Sequence, residues 1–131
     1  AVLADDPIML CIKPGEHGST FGGNPLAAAV ARESLKVLIE EKLTENAAIQ
    51  GEYFLEQLSE INSPKIKEVR GRGLMIGLNF EQPIKEIRTQ LLFEKKVFTG
   101  VAGTNTIRLL PPLCLTLDEA KEFISRLKQC L

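Results

Sequence analysis

Three short stretches gather the residue types that bind anions. Gly15 to Pro25 reads GEHGSTFGGNP, with four glycines, the hydroxyls of Ser19 and Thr20, and the chain's single histidine, His17, directly before a run with helical apolar spacing. Backbone amides in a glycine-rich turn converge on an anion, and two hydroxyls supply donors suited to phosphate oxygens. The same composition also makes an ordinary flexible turn, and no lysine follows as in a P-loop, so both readings stand. His17 has no second histidine with which to build a metal site and reads as a loop or interface residue without a catalytic role.

The second stretch is TIRLLPP, where Arg108 sits among Ile107, Leu109 and Leu110. A permanent charge inside an apolar strand must reach solvent or meet an anion. One reading is an edge-strand arginine pointing outward; the other is a clamp for a substrate carboxylate, which the planar fork of arginine suits better than lysine. In the third stretch, VRGRGL, Gly71 and Gly73 allow a bulge or a close backbone approach, while Arg70 and Arg72 face solvent or an interface. A structural role is the simpler account of that motif.

The elements that must position these residues follow from periodicity. Ala1 to Ala4 and Ile8 to Ile12 read as short apolar strands or buried connectors around DDP. Asn24 as N-cap and Pro25 at the first helical position start a helix whose alanines permit close packing. A second helix runs from about Leu43 to Ile61, with Leu43, Ala47, Phe54, Leu58 and Ile61 on one face, and NSP ends it. In VRGRGLMIGLNF the alternation of Leu74, Ile76, Leu78 and Phe80 predicts a strand. Pro83 to about Lys95 returns to helical spacing, VFTG and TIRLLPP read as two strands, and the VAGTN between them reads as a turn. TLDEA is a capping box, Thr116 to Glu119, opening a final helix with Leu117, Ala120, Ile124, Leu127 and Leu131 on its buried face. The pattern is α+β: a small, mostly antiparallel sheet with helices on one face.

Composition bounds the function. The 131 residues are 44% apolar and carry 16 basic against 17 acidic side chains, so no charge imbalance points to nucleic acid or to an anionic membrane. The apolar runs are too short to span a bilayer, and a cytoplasmic home is the default expectation. Cys11, Cys114 and Cys130 lack the spacing of a metal or dithiol site and read as buried or incidental thiols. Small molecules or proteins are the expected partners.

KPGEHGSTFGGNPLAAAVA, VRGRGLMIGL and IRLLPPL, in that order and spacing, resemble the C-terminal part of class III pyridoxal-phosphate aminotransferases, in the ornithine and acetylornithine branch. The match covers essentially the whole chain, and the first motif leans toward the ornithine side. The resemblance implies the tail of a large cofactor-binding domain of fold type I over residues 1–42, followed by a small C-terminal domain over residues 43–131. It implies a homodimer with active sites at the interface, pyridoxal 5'-phosphate as cofactor, and amino-acid and 2-oxo-acid substrates. By the same resemblance Thr20, with Ser19 as a second contact, serves the phosphate of the neighbouring subunit's cofactor, and Arg108 binds the substrate carboxylate.

The Schiff-base lysine of that family, and the acid paired with the pyridine nitrogen, correspond to positions upstream of AVLADDP. No catalytic residue is therefore expected in this chain, and it is expected to be inactive alone. Lys13 lies where the family has no catalytic lysine. Two alternatives remain open: N-acetylornithine or another ω-amino compound as donor, and a stand-alone binding or dimerisation domain.

Overall fold

The computed structural model describes residues 3–131 and divides into two compact units, Ala1–Val37 and Leu38–Leu131. In the first unit Asp6–Met9 forms a single helical turn, α1, with Pro7 in its opening positions and Asp5 extended before it. Proline fixes the φ of a first turn and cannot donate to a sheet, so DDP starts a helix where short strands or buried connectors were expected. Ile8, Leu10 and Ile12 are exposed rather than buried, and Ala1 and Val2 of the expected N-terminal strand lie outside the described residues.

Helix α2, Pro25–Glu40, begins as the sequence predicts. The Asn24 side-chain oxygen accepts from the Leu26 and Ala27 amides at 2.9 and 3.2 Å, satisfying two of the free donors of the first turn. No residue of α2 is buried, and its alanines are exposed.

The second unit is a four-stranded antiparallel sheet, ordered β1-β2-β4-β3, with helices packed on one face. Helix α3, Leu43–Ser59, buries Ala47, Phe54 and Leu58 as its spacing predicts. Strand β1, Ile66–Arg72, and β2, Met75–Phe80, form a hairpin through Gly73 and Leu74, so VRGRGLMIGLNF is two strands and a turn and not one strand. Gly73 has φ +53°, the left-handed value that a tight hairpin needs at its first central position.

Helix α4 spans Lys85–Phe93, β3 spans Gly100–Ala102, β4 spans Thr106–Leu109 and α5 spans Leu117–Lys128. Most of VFTG therefore precedes β3. Its backbone groups go to α4 instead: the Val97 amide donates to the Leu91 carbonyl at 2.8 Å, and Arg88 Nη2 donates to the Thr99 carbonyl at 2.9 Å. The capping box is present, with Thr116 Oγ1 accepting from the Glu119 amide and the Glu119 carboxylate accepting from the Thr116 amide. Leu117, expected on the buried face of α5, is exposed; Ala120, Ile124 and Leu127 make that face.

The core joins these residues to Ile76, Leu78, Phe80, Ile107 and Leu109 from the sheet, with Phe54 and Phe123 meeting edge to face at 5.7 Å between ring centres. Gly51 of α3 lies against the hairpin turn so closely that a Cβ there would fall 2.4 Å from the Gly73 carbonyl oxygen.

Candidate functional site

Alternation in β2 and β4 sorts the sheet into two faces. Ile76, Leu78, Ile107 and Leu109 point into the core, which leaves Gly77, Asn79, Thr106 and Arg108 on the other face. Register then lines up four residues across four strands: Arg70 opposite Gly77, Gly77 opposite Arg108, and Arg108 opposite Gly100. Arg108 is therefore exposed because both its strand neighbours are buried.

Among the described residues Arg108 makes no ion pair and no side-chain hydrogen bond, whereas Arg70 pairs with Glu68 on its own strand. Arg108 borders two cavities. A 500 Å³ groove on the open face runs past Arg70, Arg72, Gly77 and Thr106, and a 450 Å³ cavity runs past Phe98, Gly100, Pro111 and Phe123. An unpaired guanidinium at the border of a groove and a cavity, both walled mainly by apolar surface, is equipped to receive a carboxylate whose remaining atoms are partly apolar. In VRGRGL the close backbone approach is present and the bulge is not: Gly71 has no room for a Cβ beside the Met75 carbonyl oxygen at 2.5 Å, Gly73 makes the turn, the bulge of β1 lies between Ile66 and Glu68, and Arg70 and Arg72 line the groove.

In the first unit, the glycine-rich segment folds into a local turn. The Gly22 amide donates to Ser19 Oγ at 2.9 Å, and a Cβ at Gly22 would lie 2.9 Å from that of Ser19. Ser19 Oγ is an acceptor in this turn, so its proton remains available to an external oxygen. Ser19 and Thr20 are both exposed, and Thr20 makes no side-chain hydrogen bond among the described residues. The donor chemistry fits a phosphate. His17 is exposed and likewise free of side-chain hydrogen bonds among the described residues. Lys13 is held locally, its Nζ donating to the Leu10 carbonyl at 3.1 Å and its amide to Glu16 Oε2 at 2.6 Å.

Arg108 stands out in the sequence, whereas its neighbours Thr99 and Gly100 do not. The only signal for them was register, which cannot be read until β3 is seen to start at Gly100. Cys11 and Cys114 are exposed and free, and Cys130 is buried just past the C-terminal end of α5.

The family description aminotransferase class-III matches residues 1–131. The chain belongs to this family. It is 44% identical over 131 residues to an ornithine aminotransferase of Oceanobacillus iheyensis, covering all of this chain and 33% of that protein. A solved ornithine aminotransferase from Plasmodium yoelii superimposes with a TM-score of 0.88 at 44% identity, over 98% of this chain and 35% of that one. An acetylornithine aminotransferase from Elizabethkingia anophelis gives 0.83 at 36% identity, again over 98% of this chain and 35% of its own. The chain spans about a third of the length of the relatives it matches. Among the described residues no helix is long and apolar enough to cross a membrane.

Proposed function

We propose that this chain is the C-terminal part of an ornithine aminotransferase, which moves an amino group from ornithine to a 2-oxo acid with pyridoxal 5'-phosphate. Residues 1–42 would close the large cofactor domain and residues 43–131 would form the small domain, within a cytoplasmic homodimer. The observation that carries the reading is Arg108, an exposed guanidinium without a partner among the described residues, held by the core register at the border of two cavities. The choice of ornithine as donor rests on the names of the relatives, with acetylornithine as the competing donor.

In this reading Arg108 binds a substrate carboxylate through two parallel N–H donors and fixes its orientation, a contribution of position rather than of bond making. Thr20 and Ser19 donate hydroxyl protons to phosphate oxygens of the cofactor in the neighbouring subunit, which the local turn at Gly22 leaves them free to do. The cofactor, when bound, supplies the electron sink for the chemistry at the substrate carbon. The lysine that carries the proton belongs to the remainder of the protein.

The test uses the full-length enzyme with ornithine, N-acetylornithine and a 2-oxo acid. Turnover of ornithine well above N-acetylornithine supports the donor assignment, and the reverse replaces it. Arg108→Ala should raise KM for the carboxylate substrates about 100-fold, the scale of a lost charged bidentate pair, with cofactor retention unchanged. Thr20→Ala should do the converse, releasing cofactor on dialysis. Equal loss of both properties in Arg108→Ala would make the arginine structural. Sedimentation and cell fractionation check the dimer and its compartment.

A further inference from the structure

Gly100 faces Arg108 across the β3–β4 ladder, and it does not need to be glycine for conformational reasons. Its φ is not in the positive region, which among the described glycines holds Gly15, Gly23, Gly73 and Gly103. Space is what favours it. A Cβ at Gly100 would lie 3.3 Å from Arg108 Nε, 3.6 Å from Arg108 Cβ and 3.1 Å from the Arg108 carbonyl oxygen. The arginine stem therefore runs over β3 and rests on bare backbone. Gly77, in the same row, differs: a Cβ there would meet Thr106 Cγ2 at 3.5 Å and Arg70 Cγ at 3.8 Å, ordinary contacts that leave room for a methyl group.

We propose that Gly100 is a positioning residue for Arg108, and that the missing side chain sets where the guanidinium waits for a carboxylate. The inference rests on the reading of Arg108 as the carboxylate-binding group. When a methyl group is added, one of the two partners must move. The start of β3 is held: Thr99 is 5% exposed and its carbonyl accepts from Arg88 of α4 at 2.9 Å. The 3.1 Å contact with the Arg108 carbonyl oxygen asks for a few tenths of an ångström between the two backbones, whereas the exposed Arg108 side chain, with no hydrogen bond among the described residues, is free to swing away from the contact at Nε. A side chain at position 100 lifts the guanidinium off β3 and away from the rim that the two cavities share.

The experiment is a double-mutant cycle in the full-length enzyme, with Gly100→Val, the milder Gly100→Ala, Arg108→Ala and Gly100→Val/Arg108→Ala. KM and kcat are measured for both carboxylate substrates, together with cofactor absorbance and thermal midpoint. Gly100→Val should raise both KM values about tenfold, a misplacement of the order of an ångström, with kcat within about twofold. Gly100→Ala should move KM in the same direction by less. In the Arg108→Ala background the valine should add nothing to KM, because the group it acts through is gone. An equal rise in KM with and without Arg108 overturns the proposal in favour of a general role in β3. Arg108→Ala raising KM while neither Gly100 variant does so overturns the proposal alone. Arg108→Ala leaving KM unchanged overturns the carboxylate reading and this proposal with it. Should Gly100→Val fail to fold, Gly100→Ala paired with Gly100→Ala/Arg108→Ala completes the same cycle.

Discussion

Gly51→Ala tests the packing of α3 on the hairpin through the sign of its effect. In the interior of a helix, replacing glycine by alanine gains about 1 kcal/mol from propensity alone. Here the new Cβ would lie 2.4 Å from the Gly73 carbonyl oxygen, 2.5 Å from its carbon and 2.6 Å from its Cα. These are backbone atoms, and no rotamer change relieves the overlap. A carbon–oxygen contact needs about 3.3 Å, so helix and turn must separate by roughly 0.9 Å. A gap of that size forfeits between about a quarter and a half of the dispersion energy across the contact, where Ala47, Phe54 and Leu58 bury their side chains. Overpacking of this kind costs about 3 kcal/mol at the upper end of its range. Subtracting the propensity gain leaves a net loss of about 2 kcal/mol. In urea, with m of about 1.5 kcal/mol/M, the midpoint followed by far-ultraviolet circular dichroism should fall by about 1.3 M. Ile49→Ala, at an exposed position on the same helix, should change stability by less than about 0.5 kcal/mol. A midpoint that stays put or rises in Gly51→Ala refutes the close approach.

The capping box gives a pH-dependent prediction. Hydrogen bonds from the Thr116 amide, and then from the Thr116 hydroxyl, hold the Glu119 carboxyl below the usual carboxylate range. A depressed folded pKa adds stability above the unfolded value and loses it as pH falls through the folded one. Glu119→Gln should therefore flatten the acid limb of the stability profile below about pH 4.3, while Thr116→Ala should cost about 1 kcal/mol at neutral pH; an unchanged acid limb in Glu119→Gln would dismiss the box. For the thiols, burial pushes Cys130 above the usual thiol range, and the residue is 6% exposed. Iodoacetamide at pH 8 should label Cys11 and Cys114 within minutes and Cys130 only in denaturant, and mass spectrometry showing native labelling of Cys130 would contradict its place in the core.

Much of the helical structure was legible because helix signals are local. Asn24 with Pro25, and Thr116 with Glu119, mark two starts within four residues of sequence, and the apolar face of α3 reads directly from Ala47, Phe54 and Leu58. Strand β1 escaped because it carries a bulge. Pairing shifts between Ile66 and Glu68, which places the core-facing Ile66 and Val69 three residues apart instead of two or four and erases the alternation. The start of β3 was misplaced for a different reason: Val97 and Phe98 have strand-like side chains, but α4 takes the backbone bonds of this segment. At the candidate site Arg108 stood out as a charge among apolar neighbours. Gly100 carried no such signal, since a glycine favoured by a side chain eight residues away in sequence looks like any other until the two strands are paired.

Pairing of β4 between β2 and β3 also protects the site against error. Ile107 and Leu109 are buried on either side of Arg108, so slippage of this strand by one residue would turn the guanidinium into the core and expose both apolar side chains. An uncompensated charge in that environment costs several kcal/mol. Which face of the sheet carries the arginine is therefore inherited from the core, and only its resting place on that face is left to the contact with Gly100. Substitutions that loosen the core without unfolding it should blur substrate binding before they abolish it, because a misregistered β4 is also a misdirected Arg108.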